Sequence, residues 1–176
     1  MSESEKYNEF IKRLEDSYPQ AMRNLYCGVS ISEGWYHIVE SLVRNIHHHI
    51  KWKREQRARV LMMNRAIKRG REAVVARVCY NGKPPGEWEY SRADNIIAEG
   101  IVEPPVKVKH IEIHQIKEKF AGLRFYYQGG DEQVHGMVRM AEAWAADVCE
   151  VCGARGEQRP GGWIRTLCDE HAKKRG

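Results

Sequence analysis

The sequence predicts an α+β protein: a helical N-terminal region, then a β-hairpin with one more helix, then a small cysteine-rich ribbon. Three observations carry that prediction. Apolar residues recur at helical spacing through most of the first hundred positions, the period changes to two after residue 105, and three cysteines and a histidine cluster at 149–171. The expected organisation is sequential, with a helical region over 1–104, the hairpin and helix over 105–148, and the ribbon over 149–176 packed on the helix before it.

ESEKYNEFIKRLEDSY sets Tyr7, Phe10, Ile11, Leu14 and Tyr18 at helical spacing, and Pro19 ends or bends that helix. CGVSISEGW reads as a connection with Ser32 as N-cap. From Trp35 the residues Ile38, Val39, Leu42, Val43, Ile46 and Ile50 form one apolar stripe, the clearest amphipathic helix in the chain. The stripe lapses through KWKREQR, where Trp52 is the only apolar residue, and resumes at Val60, Met63, Ile67 and, past Gly70, Val74. This predicts one long helix, or two nearly in line, with a middle that projects from the core; Arg and Lys are good helix formers and need no core contact for this.

YNGKPPGEWEYS at 80–91 is loop chemistry, a short helix is expected over Arg92 to Ala98, and GIVEPP at 100–105 is a second breaker. VKVKHIEIHQIKEKF then alternates, and GLRFYY follows the short link KFAG, which predicts a hairpin with Phe125 on its packed face. QGGD ends the second strand. Asp131 caps a helix whose buried side is Val134, Met137, Val138, Ala141, Trp144, Ala145 and Val148.

A chain of 176 residues with 42% hydrophobic and 30% charged residues can bury one ordinary core with a small module appended. No apolar run approaches the roughly 18–20 residues that a membrane helix needs. MSESEKYNEF lacks the basic-then-apolar order of a secretion signal, so a cytoplasmic setting is expected, with no membrane partner. In a reducing compartment, clustered Cys149, Cys152 and Cys168 read as metal ligands, while the isolated Cys27 and Cys79 read as small buried or partly buried side chains.

The metal motif is C-x2-C-x15-C-x2-H, with Cys149, Cys152, Cys168 and His171 as ligands. Two short knuckles, each giving two ligands, close a tetrahedron; thiolates and an imidazole suit Zn²⁺, and four protein ligands leave no open position for catalysis. One structural zinc per chain is therefore expected. Gly153 suits the tight turn after the first knuckle, and RPGG reads as the tip of the ribbon.

KEKFAGLRFYYQGGD, a helix and CEVCG…GW…TLCDEH together resemble a family of small bacteriophage and prophage proteins, and CGVSISEGWYHIVESLV is similar to the opening of that family. The resemblance implies a phage setting and a zinc ribbon. It brings no catalytic residues, and it does not extend to 51–71 or 80–105.

The charge is uneven. The chain carries +5, yet residues 51–71 alone hold Lys51, Lys53, Arg54, Arg57, Arg59, Arg65, Lys68, Arg69 and Arg71 against the single acid Glu55. Like charges in one helix repel, and a polyanion relieves the repulsion. Nucleic acid, or an acidic or nucleic-acid-containing host complex, is the expected partner of these nine residues, with Trp52 able to stack or pack and Arg155, Arg159, Arg165 and the basic tail extending the surface. The competing reading is a solvated helix face paired with acids from neighbouring elements.

A strand over 106–114 puts His110, Glu112 and His114 on one side, an H-x-E-x-H array that could serve a metal-dependent nuclease or form an exposed polar edge. Three successive histidines, His47 to His49, spread around a helix and cannot share one ion. GGD at 129–131 lacks the spacing of a P-loop. Binding is thus expected rather than catalysis: a phage accessory protein on nucleic acid first, a protein-directed inhibitor of a host enzyme or defence system second, a nuclease third.

Overall fold

A computed structural model describes residues 2–79 and 87–174 and is 56% helical and 19% strand, a mixed helix-and-sheet fold. Most of the loop expected at 80–91 and the end of the basic tail fall outside the described residues, as does the side chain of Cys79, for which burial is expected. The chain divides into two compact units: residues 1–50 with 109–176, and residues 51–108. This differs from the sequential division expected above, because the second unit is inserted in sequence within the first.

In the first unit, α1 (Glu3–Ser17) opens with a capping box: Glu5 N–H donates to Ser2 Oγ and the Ser2 N–H donates back to Glu5. Pro19 sits in the first turn of the short α2 (Pro19–Met22), where its missing N–H costs nothing. Val29–Ser30 form β1, and a 3-10 turn at Glu33–Trp35 leads into α3 (Tyr36–Lys68), one uninterrupted helix of 33 residues. Ser32 precedes that turn, but its side chain makes no capping bond.

The sheet order is β1-β2-β3, with β2 (Lys109–Lys119) antiparallel to β3 (Gly122–Gly130) and β1 parallel to β2 at Ile116 and Lys117. A register shift between Ile113 and Gln115 adds one residue to β2. The buried positions therefore step from Ile111 and Ile113 to Ile116, where strict alternation would have buried Gln115. Phe120 and Ala121, at φ 52° and 59°, make the hairpin turn in the left-handed region without glycine. The turn is held by the Ala121 N–H donating to Glu118 at 2.7 Å. Asp131 caps α6 (Glu132–Ala145) through the Val134 N–H, as expected, and also bonds His49 Nε2 at 2.9 Å.

The apolar stripe of α3 up to Ile50 is buried as predicted, together with Phe10, Leu14, Ile113, Leu123, Val134, Val138, Ala141 and Ala145. On α6, Met137 is only partly buried and Trp144 is half exposed, meeting His37 edge-on at 5.5 Å. Cys27 also departs from expectation, for it is exposed.

The second unit contains the remainder of α3, α4 (Glu72–Cys79) and α5 (Glu87–Glu99), the last longer than the sequence suggests. Gly70, at φ 60°, ends α3 in a Schellman arrangement: its N–H bonds Ile67 and the Arg71 N–H reaches back to Ala66 at 2.9 Å. Ala66, Val75, Ala76 and Ala93 form the centre of a small core, with Met63, Ile67, Val74, Ile96 and Ile97 around it.

Residues 101–108 run as an extended strap clasped to α3 by side chains. Asn64, nearly buried, bonds Val102 twice, donating to its carbonyl at 2.7 Å and accepting from its N–H at 3.2 Å. Arg57 donates to the Pro105 carbonyl and Arg54 to the Val108 carbonyl. Asn64 and Arg57 are seven residues apart, hence stacked on one helix face, while the strap advances three residues per clasp in the opposite direction.

Candidate metal centre and cationic helix

The first knuckle follows α6 at once. Cys149 N–H donates to Ala154 at 2.7 Å, Gly153 N–H closes the turn on Cys149 at 2.9 Å, and Gly153 takes φ 76°, a left-handed conformation that favours glycine. The second knuckle comes from β5 (Arg165–Leu167), paired with β4 (Glu157–Arg159), and from α7 (Asp169–Lys173), which Cys168 precedes and on which His171 lies. RPGG falls at the tip between β4 and β5, as the sequence predicts.

The ligand atoms of Cys149, Cys152, Cys168 and His171 all lie within 4.8 Å of one another, so these side chains could hold one metal ion. Cys152 Sγ is 3.8 Å from Cys168 Sγ, and His171 Nδ1 is 3.7 Å from Cys149 Sγ and 3.1 Å from Cys168 Sγ. Burial opposes ionisation of the Cys149 thiol, but the backbone N–H groups of Cys168, Cys152 and Val151 outweigh it and bring the thiol below its ordinary value. Cys152 is drawn down by the Ala154 N–H and pushed up, on balance, by burial and by the Cys149 and Cys168 sulfurs. Three crowded sulfurs favour a cation between them.

The ribbon is seated on a socket that, in the sequence alone, reads as a connection. Gly34 N–H donates to Glu150 O at 2.9 Å, and the Trp35 indole donates to Val148 O at 2.8 Å. A Cβ on Gly34 would stand 2.2 Å from Cys149 O, so only glycine admits this approach. Thr166 Oγ1 donates to Ala121 O at 2.7 Å, tying β5 to the hairpin turn. Glu150, between the first two cysteines, is 4% exposed and paired with Arg165.

A comparison with protein families, with curated proteins and with solved structures finds no match to this chain. The chemistry of the metal centre and of the cationic helix is what remains to indicate a role.

The cationic helix divides by role. Arg54 and Arg57 hold the strap and are half buried, as is Lys53, whose Nζ stands 5.5 Å from the Trp52 ring centroid. Lys51, Arg59, Arg65, Lys68, Arg69 and Arg71 are exposed. None of the nine forms an ion pair with a carboxylate among the described residues, although Glu103 lines the same shallow groove as Arg65 and Lys68. The ribbon arginines differ: Arg159 pairs with Glu157 and Asp169, and Arg165 with Glu150, which leaves Arg155 as the exposed one.

His110, Glu112 and His114 do fall on one side of β2, but they form no metal-ligating group among the described residues. Glu112 instead accepts from Gln128 at 2.9 Å, from Arg23 and from Asn24, joining β2 to β3 and to the turn after α2. The Gln128 bond, then the Arg23 guanidinium, holds its carboxyl below the usual carboxylate range. His114 stacks obliquely on Tyr26 at 5.2 Å. A depressed carboxyl stabilises the fold above its unfolded pKa and stops doing so as pH falls through its folded value. Glu112→Gln is thus expected to lower the unfolding midpoint at pH 7, with the deficit closing as pH drops below about 4. A deficit that persists unchanged at pH 3 in thermal melts contradicts this account.

Proposed function

We propose that this is a zinc-stabilised, non-catalytic binding protein that takes nucleic acid on the cationic helix. The observation that carries the binding reading is the set of nine cations at 51–71 with no carboxylate partner among the described residues. Positive charge of that density favours a polyanion, and phosphates supply one without any change in the protein. A phage accessory role in a host cytoplasm agrees with the motifs of the first unit, whereas the cationic helix belongs to the insert and gives this chain a surface those motifs do not supply.

Zinc is supported by the donor set and by one sulfur–sulfur edge. A tetrahedral zinc with Zn–S near 2.3 Å needs sulfur–sulfur edges of about 3.8 Å, and the Cys152–Cys168 separation is 3.8 Å. His171 would ligate through Nδ1, and four protein donors leave a structural site.

A second reading, a protein-directed inhibitor of a host enzyme or defence complex, is favoured by one feature. Met62, Ile101, Val102 and Val106 are exposed apolar side chains in the same unit as Arg65 and Lys68, a mixture that suits an acidic protein surface.

Fluorescence anisotropy with labelled nucleic acid tests the first reading. Binding is expected to weaken steeply with salt, and to be lost when Arg59, Arg65 and Arg69 are changed to Glu. Arg54 and Arg57 are left intact because they hold the strap. Absence of binding at low salt would reject the nucleic-acid reading and leave the protein-directed one.

A further inference from the structure

We infer that the nucleic acid taken by this surface is single-stranded and that Trp52 stacks on one of its bases, an inference that rests on the nucleic-acid reading above. Two observations in the second unit lead to it. The first is width. A single helix with its side chains is about 10–12 Å across and already fills a major groove about 12 Å wide. Between Arg54 and Asn64, α3 carries the strap along one face, clasped at Val102, Pro105 and Val108. On another face Met63, Ala66 and Ile67 are covered by α4 and α5. That stretch is too broad to enter a duplex groove. It offers an open cationic shelf, which a flexible strand can follow and a stiff duplex meets only along a line.

The second observation is Trp52 itself. It is 53% exposed, although Ile50 two residues earlier is 2% exposed, so the indole lies outside the buried stripe of its own helix. Lys51 and Lys53 flank it, with the Lys53 ammonium 5.5 Å from the ring centroid. Arg59, exposed and seven residues on, returns to the same helix face. With the Lys53 ammonium over one face, the exposed indole presents its other face as a stacking platform, and Lys51 and Arg59 on the same helix supply charges for the flanking phosphates. Bases in a duplex already stack on one another and offer no face to it; unpaired bases do. Every base has such a face, so sequence preference is expected to be slight.

The test titrates the full zinc-loaded chain into a labelled oligo-dT of about 12 nucleotides and, separately, a duplex of similar length. The parent is expected to bind oligo-dT more tightly than duplex. Trp52→Ala should weaken oligo-dT binding about 10-fold or more while leaving the slope of log K against log salt unchanged, because the phosphate contacts remain. Trp52→Phe should restore most of the loss, and both variants should keep the parent's melting temperature. If oligo-dT and duplex bind alike and Trp52→Ala changes neither, the single-strand inference falls while the nucleic-acid reading stands. If neither probe binds at low salt, both fall.

Discussion

Cys152→Ser is expected to abolish stoichiometric zinc and to unfold more than the ribbon that contains it. Structural zinc contributes on the order of 10–16 kcal/mol in sites of this donor type, as much as the whole stability of a typical domain. The ribbon has little else: β4 and β5 are three residues each, and Leu167 and Thr166 are its buried strand side chains. Its loss also strips partners from elsewhere in the first unit. The Trp35 indole loses Val148 O, Gly34 loses Glu150 O, and Ala121 loses the Thr166 hydroxyl. A buried donor left without an acceptor costs about 1–3 kcal/mol, so the damage spreads into the start of α3 and the hairpin turn. Metal analysis and hydrogen exchange check this together. One zinc per chain retained in the variant would reject the ligand set, and faster exchange confined to residues after 148 would reject the socket.

Gly34→Ala should have the next largest effect, and by steric means alone. The new Cβ would meet Cys149 O at 2.2 Å and the Glu150 carbonyl atoms at 2.7 Å, all of them backbone. Backbone cannot swing aside as a long side chain can, so either the knuckle or the 3-10 turn must move. A cost of about 3 kcal/mol is expected, roughly 10 °C in melting temperature. Chelators should also extract the metal faster, because the displaced carbonyl belongs to a ligand residue. Gly136 supplies the control: it lies within α6 with nothing within 4 Å of an added Cβ. Gly136→Ala should stabilise by about 0.5–1 kcal/mol through helix propensity. Equal melting shifts for the two variants would show that close approach at Gly34 is not what matters.

What can be read from the sequence depends on range. The apolar stripe from Trp35 to Ile50, the alternation of the hairpin and the four clustered ligands are repeated local signals, and all of them appear in the fold. β1 has two residues, too few to show a period, and it exists only because β2 lies beside it. Gly34 reads as loop chemistry because its constraint comes from Cys149 and Glu150, more than a hundred positions away. GIVEPP reads as a boundary, and its first residues instead begin the clasped strap; the signal that points to this is Asn64. A polar amide set among Met62, Met63, Ala66 and Ile67 on a helix needs partners if buried, and an extended Pro-Pro segment has unpaired backbone to give. The nine cations are legible as a cluster, but the assignment of Arg54 and Arg57 to the strap depends on a segment some fifty residues downstream.

The Trp35 indole reaches an acceptor 113 positions ahead of it, and the last metal ligand is His171. On a ribosome these facts become a schedule. At 5–20 residues per second, the socket emerges on the order of ten seconds before the chain that fills it. Residues 51–108 are synthesised entirely within that interval, whereas the first unit cannot close until His171 has emerged and the four side chains have met the ion they could hold. Maturation of the protein would then be timed by metal supply rather than by translation, and the half-made first unit would be the form most exposed to proteases.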